Sequence, residues 1–148
     1  MLYDIINSEG IESYKWNYGA NLLIEQKVLP WKYPTEWHDM NGKQICLRMS
    51  ALTDNKDNTY ILLLHHKDMQ TLHYSYYCMY LDRTTLLPVS YIPFPVLTSL
   101  AVRIVFVMQI IVDERHLYFC KGVSDEVSGV ASCNKQQWEQ YRTLFLST

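Results

Sequence analysis

His65, His66 and His73 are the residues whose type and spacing come nearest to a metal cluster. On a hairpin turning at residues 67–70, Leu64 would face His73, and His66 would lie diagonally from His73 on the same sheet face. Tyr74 or Cys78 would then have to complete the set, and neither stands at a zinc-ligand spacing, so no metal is expected. A cysteine nucleophile needs a neighbouring base and an oxyanion hole. Cys78 could meet His73, or Cys120 His116, only through tertiary contacts, and Cys133 alone lies near the start of an expected helix, where a thiolate is favoured. Glu36, His38 and Asp39 share one aromatic loop, but neighbours on a loop need not converge.

The motifs that usually anchor nucleotide, serine-hydrolase or zinc-protease chemistry are absent: the chain holds no G-x-G-x-x-G, P-loop, G-x-S-x-G or H-E-x-x-H. No catalytic residue and no cofactor is therefore assigned, and an enzyme acting through Cys78 or a histidine is the weakest of three readings. Cys46, Cys78, Cys120 and Cys133 include no C-x-x-C pair and are expected to be free and mostly buried, although an oxidising compartment would allow two disulfides.

Tyrosine is the outlier, with twelve in 148 residues beside four tryptophans. Tyrosine and tryptophan join an apolar body to a polar tip, which suits half-buried strands and interface centres alike. In the segment 71–82, Tyr74, Tyr76 and Tyr80 share one face by period-two alternation, while Tyr77 joins His73, Ser75 and Met79 on the other. A sheet covered on one side would expose one of these sets. The loop containing Trp31, Tyr33 and Trp37 is stiffened by Pro30 and Pro34, so it could present its aromatics at small entropic cost or fold back as a lid.

The elements that must position these residues are mostly strands. Residues 11–18 and 22–29 flank the turn residues Gly19-Ala20-Asn21 and read as a hairpin. Residues 43–53, 59–66 and 71–82, separated by Asp54-Asn55-Lys56-Asp57-Asn58 and by Lys67-Asp68-Met69-Gln70, read as a three-strand meander. Pro88, Pro93 and Pro95 make 82–95 an irregular crossing. The run LAVRIVFVMQIIV at 100–112 sets Arg103 and Gln109 on odd positions against an apolar even face, which marks a central core strand. A membrane helix would need about 20 apolar residues. A turn at 113–116 pairs this run with 117–123, and the small, polar 122–131 reads as a mobile loop. Asn134 and Gln137 resemble a capping box, and Trp138, Tyr141 and Phe145 form the apolar stripe of a helix over 135–146.

The expected fold is α+β, mainly antiparallel β: one domain over 1–148, a curved sheet or barrel-like meander of about 7–8 strands, with a C-terminal amphipathic helix. A charged fraction of 19% beside 49% hydrophobic residues excludes a disordered chain, and a net charge of −2 provides no field for nucleic acid. Asp4 and Glu9 stand where a secretory signal would be positive or apolar, so a cytoplasmic location is expected, with an exported domain lacking its signal as the alternative. The expected function is a non-enzymatic protein-interaction module of the inhibitor, immunity-protein, adaptor or chaperone kind, working through Trp31, Tyr33, Trp37, Tyr74, Tyr76 and Tyr80. The alternative is a small barrel-like binder of an apolar or amphipathic ligand.

Overall fold

The computed structural model describes residues 2–6, 10–17, 22–30, 34–39, 41–70, 73–98, 105–124 and 127–145. Strands β1 (Leu2–Ile6), β2 (Gly10–Asn17) and β3 (Leu22–Pro30) form one antiparallel sheet in the order β1-β2-β3. The meander follows as β4 (Arg48–Asp54), β5 (Thr59–Lys67) and β6 (Tyr74–Asp82), and β7 (Pro88–Tyr91) and β8 (Leu97–Thr98) both pair with β6. Strands β9 (Val105–Val112), β10 (His116–Val123) and β11 (Val127–Asn134) form a third antiparallel sheet in the order β11-β10-β9. Helix α1 (Lys135–Glu139) and strand β12 (Thr143–Leu144) complete the described chain, with β12 on the free side of β7.

Carboxylate side chains set the turns of the meander. Asp54 accepts from the Lys56 N–H at 2.8 Å, and Asp57 accepts from the Thr59 N–H at 2.7 Å, so the polar run 54–58 closes on itself before β5. Asp82 accepts from the N–H groups of Thr84 and Thr85 and turns the chain back into β7. The stretch 82–95 is therefore largely a hairpin and not the irregular crossing expected from its prolines. Pro88 is tolerated because it is the first residue of its strand. At the β5–β6 turn, Lys67 faces Tyr74 and Leu64 faces Tyr77, so the loop is longer than residues 67–70 and the expected Leu64–His73 register does not form.

Strands β5 and β6 are central because both of their faces are covered. On one face Leu62, Leu64, Tyr77, Met79 and Leu81 pack with Trp37, Ile45, Leu47 and Tyr91. On the other, Ile61, Leu63, Tyr76, Cys78 and Tyr80 meet Val107, Ile110, Val112, Leu117 and Phe119 of the third sheet. Each fully buried leucine or isoleucine contributes about 1.5–3 kcal/mol. The result is sheets packed face to face. They do not close into a barrel: the six-stranded sheet ends on β4 and β12, which do not pair with each other, and the third sheet ends on β9 and β11.

The run at 100–112 differs from its expected role. Within it, β9 is an edge strand of its own sheet, and residues 101–104, with Arg103, lie outside the described residues. The even apolar face is also interrupted. Gln109 faces Cys120 while Val107 faces Lys121, so Met108 is an extra residue in β9, a β-bulge. Before the bulge the odd Val107 points inward, and after it the even Ile110 and Val112 do. Phe106, Met108 and Ile111 are left on the surface.

Two further expectations fail near the C-terminus. The small, polar segment expected as a loop at 122–131 instead ends β10 at Val123 and starts β11 at Val127, and β11 pairs residue for residue with β10. The helix is one short turn instead of 135–146. Asn134 caps it as expected, accepting from the Gln137 N–H at 3.1 Å. It stops early because Trp138 packs in the core beside β9–β11, whereas Phe145 packs in the core on the opposite face of the six-stranded sheet. One helical stripe cannot serve both, so the chain extends and β12 pairs with β7. Among the described residues no helix is long and apolar enough to cross a membrane.

Candidate functional site

The expected tyrosine stripe is an internal seam. Tyr76 and Tyr80 have no exposed surface and Tyr74 is half-buried, because the third sheet covers their face of β6. Both hydroxyls are satisfied inside. The Tyr76 oxygen accepts from the Val107 N–H at 2.8 Å and donates to the Val105 carbonyl at 3.1 Å. The Tyr80 oxygen accepts from the Trp138 indole N–H. Burial pushes the Tyr76 hydroxyl up to about 12 and the Tyr80 hydroxyl higher still. Neither tyrosine can touch a partner directly.

Trp37 of the aromatic loop is also fully buried, against Tyr77 and Tyr91, and its indole donates to the Ile92 carbonyl at 3.0 Å. The described part of the loop is thus a lid on one core. Trp31 and Tyr33 lie outside the described residues. Glu36 receives the hydroxyl of Tyr91 on β7 at 2.8 Å, which ties the loop to the sheet, and Asp39 accepts from the N–H groups of Asn41 and Lys43, which sets the loop's own turn.

The thiols and imidazoles are similarly occupied. Burial pushes the Cys78 thiol up, and burial does the same to Cys133, which disfavours a thiolate at either. The four cysteines are free thiols. His65 shares a hydrogen bond with the Ser50 hydroxyl, and His66 donates from Nδ1 to the Cys46 carbonyl at 3.1 Å. Among the described residues no three His, Cys, Asp or Glu side chains are grouped to hold a metal ion.

Two surface features remain that sequence reasoning missed. The first is the outer face of the third sheet. Cross-strand register sets Ile111, Tyr118 and Ser132 in one row, Gln109, Cys120 and Val130 in the next, and Phe106, Gly122 and Ser128 in a third. Met108, Ile111 and Val130 are exposed there and no row holds a charged side chain, while Phe106 packs its ring on His65 and Tyr74. Asp113 and His116 stand at one end of it. The signal was obscured because the bulge changes which residues of β9 point outward.

The second is a cleft of about 460 Å³ between the segment after β7 and helix α1. Ile92, Phe94, Val96, Trp138 and Tyr141 give it apolar walls, and Asn134, Gln137 and Gln140 bring amides to its rim. Phe94 meets Tyr141 edge-on with ring centroids 5.0 Å apart. Its described lining carries no formal charge, so it suits a neutral, flat or apolar group held by amide hydrogen bonds.

Family models, curated proteins and solved structures yield no match to this chain.

Proposed function

We propose that this protein is a non-enzymatic interaction module that binds another protein through the outer face of β9–β11. The observation that carries the reading is the uncharged surface on which Met108, Ile111 and Val130 are exposed, interspersed with Gln109, Ser128 and Ser132. Charged residues are depleted at the centres of protein interfaces, so an uncharged face that mixes apolar and neutral polar side chains has the composition of one. The inhibitor, immunity-protein, adaptor and chaperone kinds all fit such a surface. The buried Tyr76, Tyr80 and Trp37 act behind it as scaffold.

The test is site-specific photo-crosslinking from position 130 in the producing cell. A discrete adduct that disappears in Ile111→Lys and persists in Leu144→Lys supports the reading, since Leu144 is exposed but lies on β12, in another sheet. Equal adducts in both variants, or none in the unsubstituted chain, would sink it.

A second reading, a binder of a small apolar or amphipathic ligand, is favoured by the Trp138 cleft. Native mass spectrometry of the gently purified protein distinguishes it: a retained small molecule released by Trp138→Ala supports ligand carriage.

A further inference from the structure

A second cleft, of about 400 Å³, opens where β4 begins and β5 ends. Arg48, His65, His66 and Lys67 line it, together with Met69 and Tyr74. Among the described residues no carboxylate lines it, and Asp68, between Lys67 and Met69, turns its carboxylate to the Gln70 N–H. Arg48 stands directly opposite His65 in the β4–β5 ladder, a pairing of two basic side chains that opposes sheet formation whenever the imidazole is charged. Among the described residues Arg48 forms no ion pair. The Lys67 ammonium lies 5.7 Å from the centre of the Tyr74 ring, which holds it beside the same opening.

Register sets Arg48, His65 and Lys67 on one face of the sheet, with His66 lining the same opening from the next position. Basic groups gathered at one concavity without a carboxylate in its described lining are the arrangement that recognises an oxyanion. Arg48 supplies a planar fork of donors, and Lys67 supplies a compact charge. His66 uses Nδ1 on the Cys46 carbonyl, so its Nε2 is the nitrogen that gains a proton when the ring becomes a cation. Met69, 78% exposed, and Tyr74 add apolar surface that could cover the body to which the anion is attached. A single carboxylate would leave one of the Arg48 and Lys67 charges unbalanced, whereas a phosphate dianion offsets both and offers three acceptor oxygens.

We propose that this cleft binds a phosphate group carried on a small apolar body, with Arg48 as its principal ligand and with proton uptake by His65 on binding. The groups facing His65 are Arg48 from β4, His66 from its own strand, and the rings of Tyr74, Tyr76 and Phe106. Burial first, and then the charges of Arg48 and His66, hold His65 below its ordinary value. A phosphate among them offsets the two charge effects and raises it. The cleft adjoins the outer face of β9–β11 at Phe106, whose ring packs on His65, but the interaction reading is tested at positions 111 and 130, so the success or failure of one leaves the other to its own test.

The experiment follows the ring resonances of His65 and His66 by NMR through a pH titration, in inorganic phosphate and in chloride of equal ionic strength. Assignments come from His65→Gln and His66→Gln. The expected result is a saturable response to phosphate and a rise of about one unit in the His65 midpoint, equivalent to about tenfold tighter binding to the protonated form. Arg48→Gln, at an exposed position where folding should be unaffected, is expected to weaken that response about tenfold or more. Equal midpoints in the two salts, or a response undiminished in Arg48→Gln, would overturn the proposal. Sedimentation with phosphatidylcholine vesicles containing phosphatidic acid separates the sources of the phosphate. Arg48-dependent pelleting assigns it to a lipid headgroup, and a phosphate response without pelleting assigns it to a soluble ester.

Discussion

The Tyr76 hydroxyl on β6 accepts the backbone N–H of Val107 on β9 at 2.8 Å, a side-chain hydrogen bond that fastens two sheets sharing no ladder. The same oxygen donates to the Val105 carbonyl, so both of its hydrogen-bonding roles are filled by one strand. Tyr76→Phe keeps the ring and removes both bonds. Taking the partner from a buried N–H is expected to lower the unfolding free energy by about 1–3 kcal/mol. Urea denaturation of the two proteins checks it, with the midpoint falling and the slope unchanged.

The raised hydroxyl of Tyr76 also sets a behaviour in alkali. A tyrosine in the unfolded chain ionises near 10, whereas Tyr76 in the folded protein does so at about 12. Between these values the unfolded state has lost the proton and the folded state retains it, so stability falls as pH rises. The contribution is full below the unfolded value and is gone above the folded one. Tyr91, raised to about 12 by burial and by its bond to Glu36, acts in the same direction. Stability measured from pH 9 to 12 is expected to decline less steeply in Tyr76→Phe.

Adjacent isoleucines on β9 should respond oppositely to substitution. Ile110 is buried against the six-stranded sheet and Ile111 is 47% exposed. Ile110→Ala is expected to cost about 2–5 kcal/mol, and Ile111→Ser to stay within about 0.5 kcal/mol of the parent. Similar losses in both variants would mean that the bulge at Met108 does not set the phase of the strand.

The four thiols should separate by accessibility. Cys46 is exposed, and Cys78 is fully buried with its thiol pushed up by desolvation. A neutral-pH titration with a chromogenic disulfide reagent is expected to modify Cys46 first and Cys78 only under denaturant. Rapid native reaction at Cys78, read by peptide mapping, would contradict the packing around it.

How far the fold was legible follows from which signals were local. The hairpin β2–β3, the meander β4–β6, the pairing of β9 with β10 and the Asn134 cap each rest on turn or cap residues within a few positions of the element they define. The failures were non-local. β11, with sequence VSGVASCN, has weak strand propensity of its own and is a strand because β10 offers it a ladder. Tyr76 and Tyr80 became interior only when a second sheet landed on β6, and no pattern within 71–82 states that. Met108 is an extra residue relative to β10, and a bulge cannot be seen from one strand alone. The histidines were weighed as metal ligands and set aside, and Arg48, which reaches the same cleft from another strand, carried no signal that joined it to them.

Near the C-terminus, Arg142 donates to the buried Ser90 hydroxyl at 2.7 Å and to Asp57 at 3.3 Å, and its guanidinium lies 4.0 Å from the centre of the Tyr80 ring. Lys135 reaches the Asn55 carbonyl from 80 positions away. These contacts carry a kinetic consequence. Loops this long are closed only after the intervening strands have found one another, which places the latch late on the folding path and the protein among slow, topology-limited folders. An interaction made after the transition state governs the escape rate and not the arrival rate. Arg142→Ala should therefore leave the refolding limb of a chevron nearly unchanged and raise the unfolding limb, shortening the lifetime of the native state more than it slows the chain's return to it.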